Sequence, residues 1–290
     1  FGHKLKMPVI LAPIGSMQDF VDGAGTAPTL AASEFGIMHM ISSTCMPGLE
    51  EVAKSVNYPK LFQLYVRGDK DWVDDNIKSA IEHNYAGICL TVDLDAYGRR
   101  ERDLAKRYRT TSRQSASGFE HQMRFSWKDI DRIKSYCDLP IIIKGIATKE
   151  DALLAVEHGV EVVYVSNHGG RQLDYGLGGL NVLPEIADTI GDNAKIIFDG
   201  GIMRGTDVVK AIALGADCVG IGRLQGLAAA AGGTKAIVRM LELLELEILT
   251  ALRLIGVNSI FDLDKTYLSK DYSFGNLNAL SAFPLIGEGY

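Results

Sequence analysis

Short apolar runs alternate with longer amphipathic stretches along the chain. Eight such runs stand at 9–12, 37–41, 61–64, 87–90, 141–143, 162–165, 196–198 and 218–221, each ending in polar or glycine residues. Their near-continuous hydrophobicity suits strands covered on both faces. The stretches around them predict helices at 25–34, 49–55, 72–83, 127–136, 149–158, 183–190, 205–214 and 234–254. Asp207, Val208, Ala211, Ile212 and Leu214 have the spacing of a helix with one buried face. His158-Gly159 and Leu214-Gly215 read as helix stops, because glycine accepts the left-handed cap conformation. Parallel strands need a crossover between each pair, and a helix supplies it. Strands and helices in this alternation predict an α/β fold, a closed (β/α)8 TIM barrel, with residues 1–290 as a single domain.

Some stretches fall outside the alternation. Residues 108–125, rich in Ser, Thr, Arg and Gln, follow strand four and so belong at the active-site mouth. They read equally as a lid or as a disordered connection. Residues 271–290 read as an extended tail on the barrel rim or on a neighbouring subunit, and residues 1–7 as the interior of a longer chain whose N-terminal segment is missing.

With 47% hydrophobic residues, the core needs no disulfide or metal staple. The net charge of −6 comes with no basic stripe long enough to track nucleic acid. Arg99, Arg100, Arg102, Lys106, Arg107 and Arg109 cluster, but Glu101 and Asp103 interrupt them, as in a solvated helix start. Cys45, Cys89, Cys137 and Cys218 form no C-x-x-C pair, so no metal site is expected and a cytoplasmic setting fits. No signal peptide is visible, and no apolar run reaches the roughly 18 residues that a membrane span needs.

In such barrels active sites form at the carboxyl ends of the strands. Strand one ends in Ala12-Pro13-Ile14-Gly15 and strand two in Ser42-Ser43. Strand three carries Gln63 and Tyr65, strand four ends in Thr91-Val92-Asp93, and strand five in Lys144. Strand six runs into Ser166-Asn167-His168-Gly169-Gly170-Arg171, strand seven into Asp199-Gly200-Gly201, and strand eight into Gly222-Arg223. Polar or glycine residues at every end make that face a site. Gly200-Gly201 and Gly222-Arg223 offer backbone N–H groups, helix starts and a guanidinium where these barrels commonly grip phosphate. Lys144 closes an apolar strand, and a buried ammonium needs an anion. It is either a satisfied structural lysine or a charge that stabilises an anionic cofactor or intermediate. His168 near Arg171 offers a base and a carboxylate clamp together.

The run Ser166-Asn167-His168-Gly169-Gly170-Arg171-Gln172-Leu173-Asp174 resembles the signature of the FMN-dependent 2-hydroxy-acid oxidase and dehydrogenase family. That family includes glycolate oxidase, lactate oxidase, lactate monooxygenase and mandelate dehydrogenase. Phe62-Gln63-Leu64-Tyr65-Val66, Leu90-Thr91-Val92-Asp93, Gly98-Arg99-Arg100-Glu101, Ile143-Lys144-Gly145, Phe198-Asp199-Gly200-Gly201 and Ile221-Gly222-Arg223 extend the resemblance over nearly the whole chain. It implies FMN as cofactor and the oxidation of an L-2-hydroxy acid to the 2-oxo acid. It implies His168 as base, Asp93 as its carboxylate partner, Tyr65 near the substrate hydroxyl, and Arg100 and Arg171 on the substrate carboxylate. Lys144 would stand near flavin N1, and Ser42, Gln63 and Thr91 would hydrogen-bond the ring. The backbone of Ala12, Pro13, Ile14 and Gly15 would pass along the ring's edge. Ser166 would bond the flavin or its ribityl chain, and Asp199 the ribityl hydroxyls. Gly201, Gly222 and Arg223 would hold the phosphate, with Gly200 and Arg204 counted among the cofactor contacts. The resemblance further implies a homotetramer, with O2, a quinone or a protein as electron acceptor.

Some positions depart from the family pattern. Met203 stands where an Arg is usual, Thr44 where an aromatic residue is common, and Tyr97 where a smaller aliphatic one is common. They predict a reshaped substrate pocket. Gly15 stands where oxidases often carry Ala, a lean away from a fast oxidase. The strand-four loop is shorter than usual and lacks the membrane-anchoring insertion of mandelate dehydrogenases. Two other readings stay open: an FMN barrel enzyme with a larger or atypical substrate, and a catalytically silent flavin-binding module.

Overall fold

The computed structural model describes residues 1–269. Its strands are β1 (Val9–Leu11), β2 (Met38–Ser42), β3 (Leu61–Leu64), β4 (Ile88–Thr91), β5 (Ile141–Ile146), β6 (Val162–Val165), β7 (Lys195–Asp199) and β8 (Cys218–Ile221). Each pairs in parallel with the next, and β8 pairs with β1 to close the barrel. Residues 61–64, 162–165 and 218–221 are strands over the predicted spans. β5 runs on to Ile146 through a register shift between Lys144 and Ile146. Gly145 makes this possible with φ +111, and a Cβ there would come within 2.7 Å of the Asp93 side chain.

Two apolar layers follow from the alternation of strand side chains. Ile10, Met38, Met40, Leu61, Cys89, Ile142, Val162, Tyr164 and Ile197 form one cluster, the filling of the barrel. Leu11, Ile41, Leu64, Leu90, Ile143 and Val163 belong to the other, packed with residues of the surrounding helices.

The helices are α1 (Thr26–Phe35), α2 (Leu49–Ser55), α3 (Lys70–Glu82), α4 (Glu101–Ala105), α5 (Thr111–Gln114), α6 (Phe119–Arg124), α7 (Trp127–Lys134), α8 (Lys149–Glu157), α9 (Gly179–Ile190), α10 (Gly205–Ala213) and α11 (Arg223–Ile255). Residues 108–125 are therefore not a disordered connection; they carry α5 and α6. α9 starts at Gly179, ahead of the predicted 183, and Pro184 lies inside it. α11 is two helices meeting at Gly232 and Gly233, whose backbone is not helical. The predicted 234–254 is the second. The first, rich in Ala and Gly, lacks the polar–apolar contrast that marks an amphipathic helix.

Among the described residues, no helix is long and apolar enough to cross a membrane, and no His/Cys/Asp/Glu group could hold a metal ion. The tail expected at 271–290 lies outside the described residues.

Candidate active site

The carboxyl ends of β4 and β6 meet at His168 and Asp93. His168 has the left-handed φ of +58, and its backbone N–H donates to Ser166 Oγ at 3.1 Å. Its ring Nδ1 lies 2.9 Å from Asp93 Oδ1. An ionised carboxylate only accepts, so Nδ1 carries the hydrogen and Nε2 keeps its lone pair. Burial works against the Asp93 charge, but the hydrogen bond from His168 and the field of Lys144 outweigh it and hold the carboxyl below the usual range. Asp93 Oδ2 is buried without a partner.

A buried polar chain links β5, β6 and β7. Lys144 Nζ donates to Ser166 Oγ at 2.8 Å and lies 3.2 Å from Asp199 Oδ2. Ser166 Oγ donates in turn to Asp199 Oδ1 at 2.5 Å. Burial disfavours the Lys144 charge, yet Asp199 and Asp93 more than offset that and hold the ammonium above its ordinary pKa. Tyr65 follows β3. Burial, and then the Asp93 charge, push its phenol well above the ordinary value.

Arg100 begins the loop helix α4, and its Nη2 donates to Gln172 Oε1 at 3.2 Å. Gln172 Nε2 donates to the carbonyls of Asp93 and Ala96, both at 2.8 Å. This one amide ties the loop after β4 to the loop after β6. Arg171 is exposed beside it, and its charge acts on Arg100.

Several buried groups at these strand ends lack a partner. Gln63 is fully buried, with neither amide atom hydrogen-bonded, and the Thr91 hydroxyl is also unpaired. Ser42 is buried at the end of β2, with its hydroxyl 3.1 Å from that of Thr44. A buried amide left unpaired is costly, so these groups call for a polar ligand. Ala12, whose N–H donates to Ile221 O at 3.0 Å, leads through Pro13 and Ile14 to Gly15 along one side of the mouth. After β7, Gly200 and Gly201 have φ +122 and +73. A Cβ on Gly201 or Gly222 would meet nothing within 4 Å. No side chain caps the start of α11 at Gly222, and Arg223 Nη2 donates to Gly169 O at 3.1 Å. The orphaned polar groups and this open backbone fit a flat ring with a polar edge and a phosphorylated tail, as in FMN.

The sequence profile of the family described as FMN-dependent dehydrogenase matches residues 1–270. The chain belongs to the FMN-dependent dehydrogenase family. It is 34% identical over 286 residues to a peroxisomal (S)-2-hydroxyacid oxidase of Arabidopsis thaliana, covering 92% of this chain and 79% of that protein. It is 35% identical over 297 residues to an L-lactate oxidase of a Nostoc strain, covering 92% and 80%. The crystal structure of a mandelate oxidase is similar with a TM-score of 0.83 at 33% identity, covering 89% of this chain and 77% of that one. The protein is thus an enzyme of the FMN-dependent 2-hydroxyacid oxidase and dehydrogenase family.

Arg204, expected among the cofactor contacts, has its guanidinium on Glu247 in this structure. Its Nε and Nη2 both lie 2.7 Å from Glu247 Oε1 on α11. The backbone N–H groups of Met203 and Arg204 donate to Asp207 Oδ2, and that of Gly205 to Glu247 Oε2. Carboxylates therefore close the start of α10, while the start of α11 stays open.

Other residues of the site carried little or no sequence signal. Gln172 lies within the signature run, but only its contacts show that it is a brace. Gln122 on α6 accepts from Val66 N at 2.9 Å and donates to Thr91 O at 3.1 Å. The Ser16 and Ser112 hydroxyls bond each other, Ser112 N donates to Ser16 Oγ at 2.9 Å, and Asp19 accepts from Thr111 N at 2.9 Å. These contacts fold the strand-four loop onto the loop after β1, so it covers the mouth as a lid does.

Proposed function

We propose that this chain, acting as a single barrel domain, oxidises an L-2-hydroxy acid to the 2-oxo acid, with His168 as the base. The observation that carries this reading is the 2.9 Å bond between His168 Nδ1 and Asp93, which leaves Nε2 free to accept a proton. FMN, when bound, supplies the acceptor for the two electrons that leave the substrate. Ser42, Gln63 and Thr91 would bond its ring, the backbone of residues 12–15 would flank it, and Ser166 and Asp199 would reach its chain. Gly200, Gly201, Gly222 and Arg223 would hold its phosphate.

Arg100 and Arg171 bind the substrate carboxylate, and Gln172 braces Arg100 for that task. His168 Nε2 takes up a proton as the alcohol becomes a carbonyl, and ionised Asp93 stabilises the imidazolium that forms. The same base serves whether C–H or O–H cleavage leads. Tyr65 stays protonated and donates to the substrate hydroxyl. Lys144 keeps a fixed positive charge at the cofactor ring.

The test is anaerobic mixing of the holoenzyme with a panel of L-2-hydroxy acids while the flavin absorbance is followed. Bleaching is expected with at least one of them, and His168→Ala should slow it by on the order of 10²–10⁴-fold. No bleaching with any acid, or a His168→Ala protein that bleaches at the original rate, would overturn the reading.

A further inference from the structure

We propose that Arg113 holds a second acid group of the substrate, so that the enzyme's substrate class is a short 2-hydroxy dicarboxylate. This rests on the function proposed above, because Arg100 and Arg171 already take the carboxylate next to the hydroxyl.

The ring of Tyr97 joins the two sites. The Arg100 guanidinium lies 5.3 Å from its centroid and the Arg113 guanidinium 4.9 Å from the same centroid. Arg113 comes from α5, and its position is set by its neighbours. Thr111 is bonded to Asp19, and Ser112 to Ser16, so the residue is carried over the mouth by the closed loop. Tyr97 itself packs edge-on against Phe119, with centroids 5.4 Å apart, and is held in place.

The charges around this ring do not balance. Arg100, Arg113 and Arg171 are close enough that burial, followed by the charges of Arg171 and Arg113, pulls the Arg100 guanidinium below its ordinary value. Arg100 Nε is buried with no partner. Three carboxylates lie near the cluster. Asp103 Oδ2 is 3.8 Å from Arg113 Nη1, a loose and partly exposed pair. Asp93 is committed to His168. Asp95 acts on Arg67, which stacks over Phe119 at 4.0 Å. A monocarboxylate would leave this cationic excess in place and lay its apolar end near a guanidinium, which favours water or an anion. A substrate with an acid group at each end answers both problems.

The experiment compares kcat/KM of the holoenzyme for (S)-2-hydroxyglutarate and for (S)-2-hydroxypentanoate. These share a carbon chain and differ in having a carboxylate or a methyl at the far end. The dicarboxylate should be preferred by roughly tenfold or more. Arg113→Leu should shrink that preference by roughly 10- to 100-fold, mainly through KM of the dicarboxylate, and Arg113→Lys should retain part of it. The inference is overturned if the wild-type enzyme prefers the methyl-ended acid, or if Arg113→Leu leaves the ratio unchanged. If neither acid bleaches the flavin while lactate or mandelate does, the dicarboxylate site is wrong and the proposed function stands. If no 2-hydroxy acid bleaches it, the function itself falls.

Discussion

Gly15 lacks a side chain for a reason found in its neighbour. A Cβ there would lie 2.3 Å from Thr44 Oγ1, the hydroxyl that faces Ser42 Oγ at 3.1 Å. Two positions that look like separate departures from the family pattern are therefore one packing event. Gly15→Ala should push the Thr44 hydroxyl off Ser42 and cost about 1 kcal/mol, and Thr44→Ala should relieve it. A double-mutant cycle by urea unfolding measures the coupling; strict additivity would refute the linkage. At His168 the acid partner sets a pH dependence. The Asp93 carboxyl is held below its ordinary range, so its contribution to stability is present above the unfolded pKa and fades as pH falls through the lower folded one. Asp93→Asn should flatten that acid limb in a series of thermal unfolding midpoints. It should also slow flavin bleaching by on the order of 10²-fold or more, because the amide cannot stabilise the imidazolium. His168, Asp93 and Arg171 were legible because their residue types cluster at strand ends. Arg113 was not, because it stands in a polar stretch where nothing local sets one arginine apart from another.

At the level of elements, the strand-four loop is the part least readable from its own composition. Nothing local to residues 108–125 chooses between a lid and an unordered link; the choice is made by contacts with distant segments. α6 is anchored by a buried amide, since Gln122 satisfies the N–H of Val66 and the carbonyl of Thr91. Gln122→Ala would leave both backbone groups without their partner and should cost roughly 2–4 kcal/mol. The denaturant midpoint should fall accordingly, and protease nicking should concentrate in this loop before the barrel. An unchanged midpoint would show that water replaces the amide without loss. Gly232 and Gly233 likewise break one long helical run in two, and α11 packs on α1 and α10.

For the whole molecule, the polar mouth has a consequence for stability. Gln63 and Thr91 keep unpaired buried groups there, and the start of α11 is uncapped. FMN should therefore stabilise the fold strongly by satisfying groups that otherwise carry a penalty. At about 100-fold excess over Kd, linkage predicts roughly 2.7 kcal/mol, readable as a rise in Tm on titrating FMN into the apoprotein. Gln63→Leu should weaken that rise while making the apoprotein no less stable, since an apolar side chain there carries no unpaired amide. A flat Tm across the titration would count against the assigned cofactor groups.

The sequence alone determined the closed barrel and the composition of its mouth. Alternating apolar runs and amphipathic stretches say which faces must be buried, and burial of both faces of parallel strands leaves few architectures. Only the tertiary structure decided which polar side chains meet. Arg204 stands close to the Gly200-Gly201 turn in sequence, yet it reaches Glu247 on another element. Gln122 bonds the backbone of Val66 just after β3 and of Thr91 on β4, and Arg113 meets Tyr97 from an earlier part of the same loop. Hydrophobic periodicity is a local, repeating signal. A long polar side chain, by contrast, takes whichever partner the folded chain brings within hydrogen-bond reach, and that distance exists only once the barrel has closed.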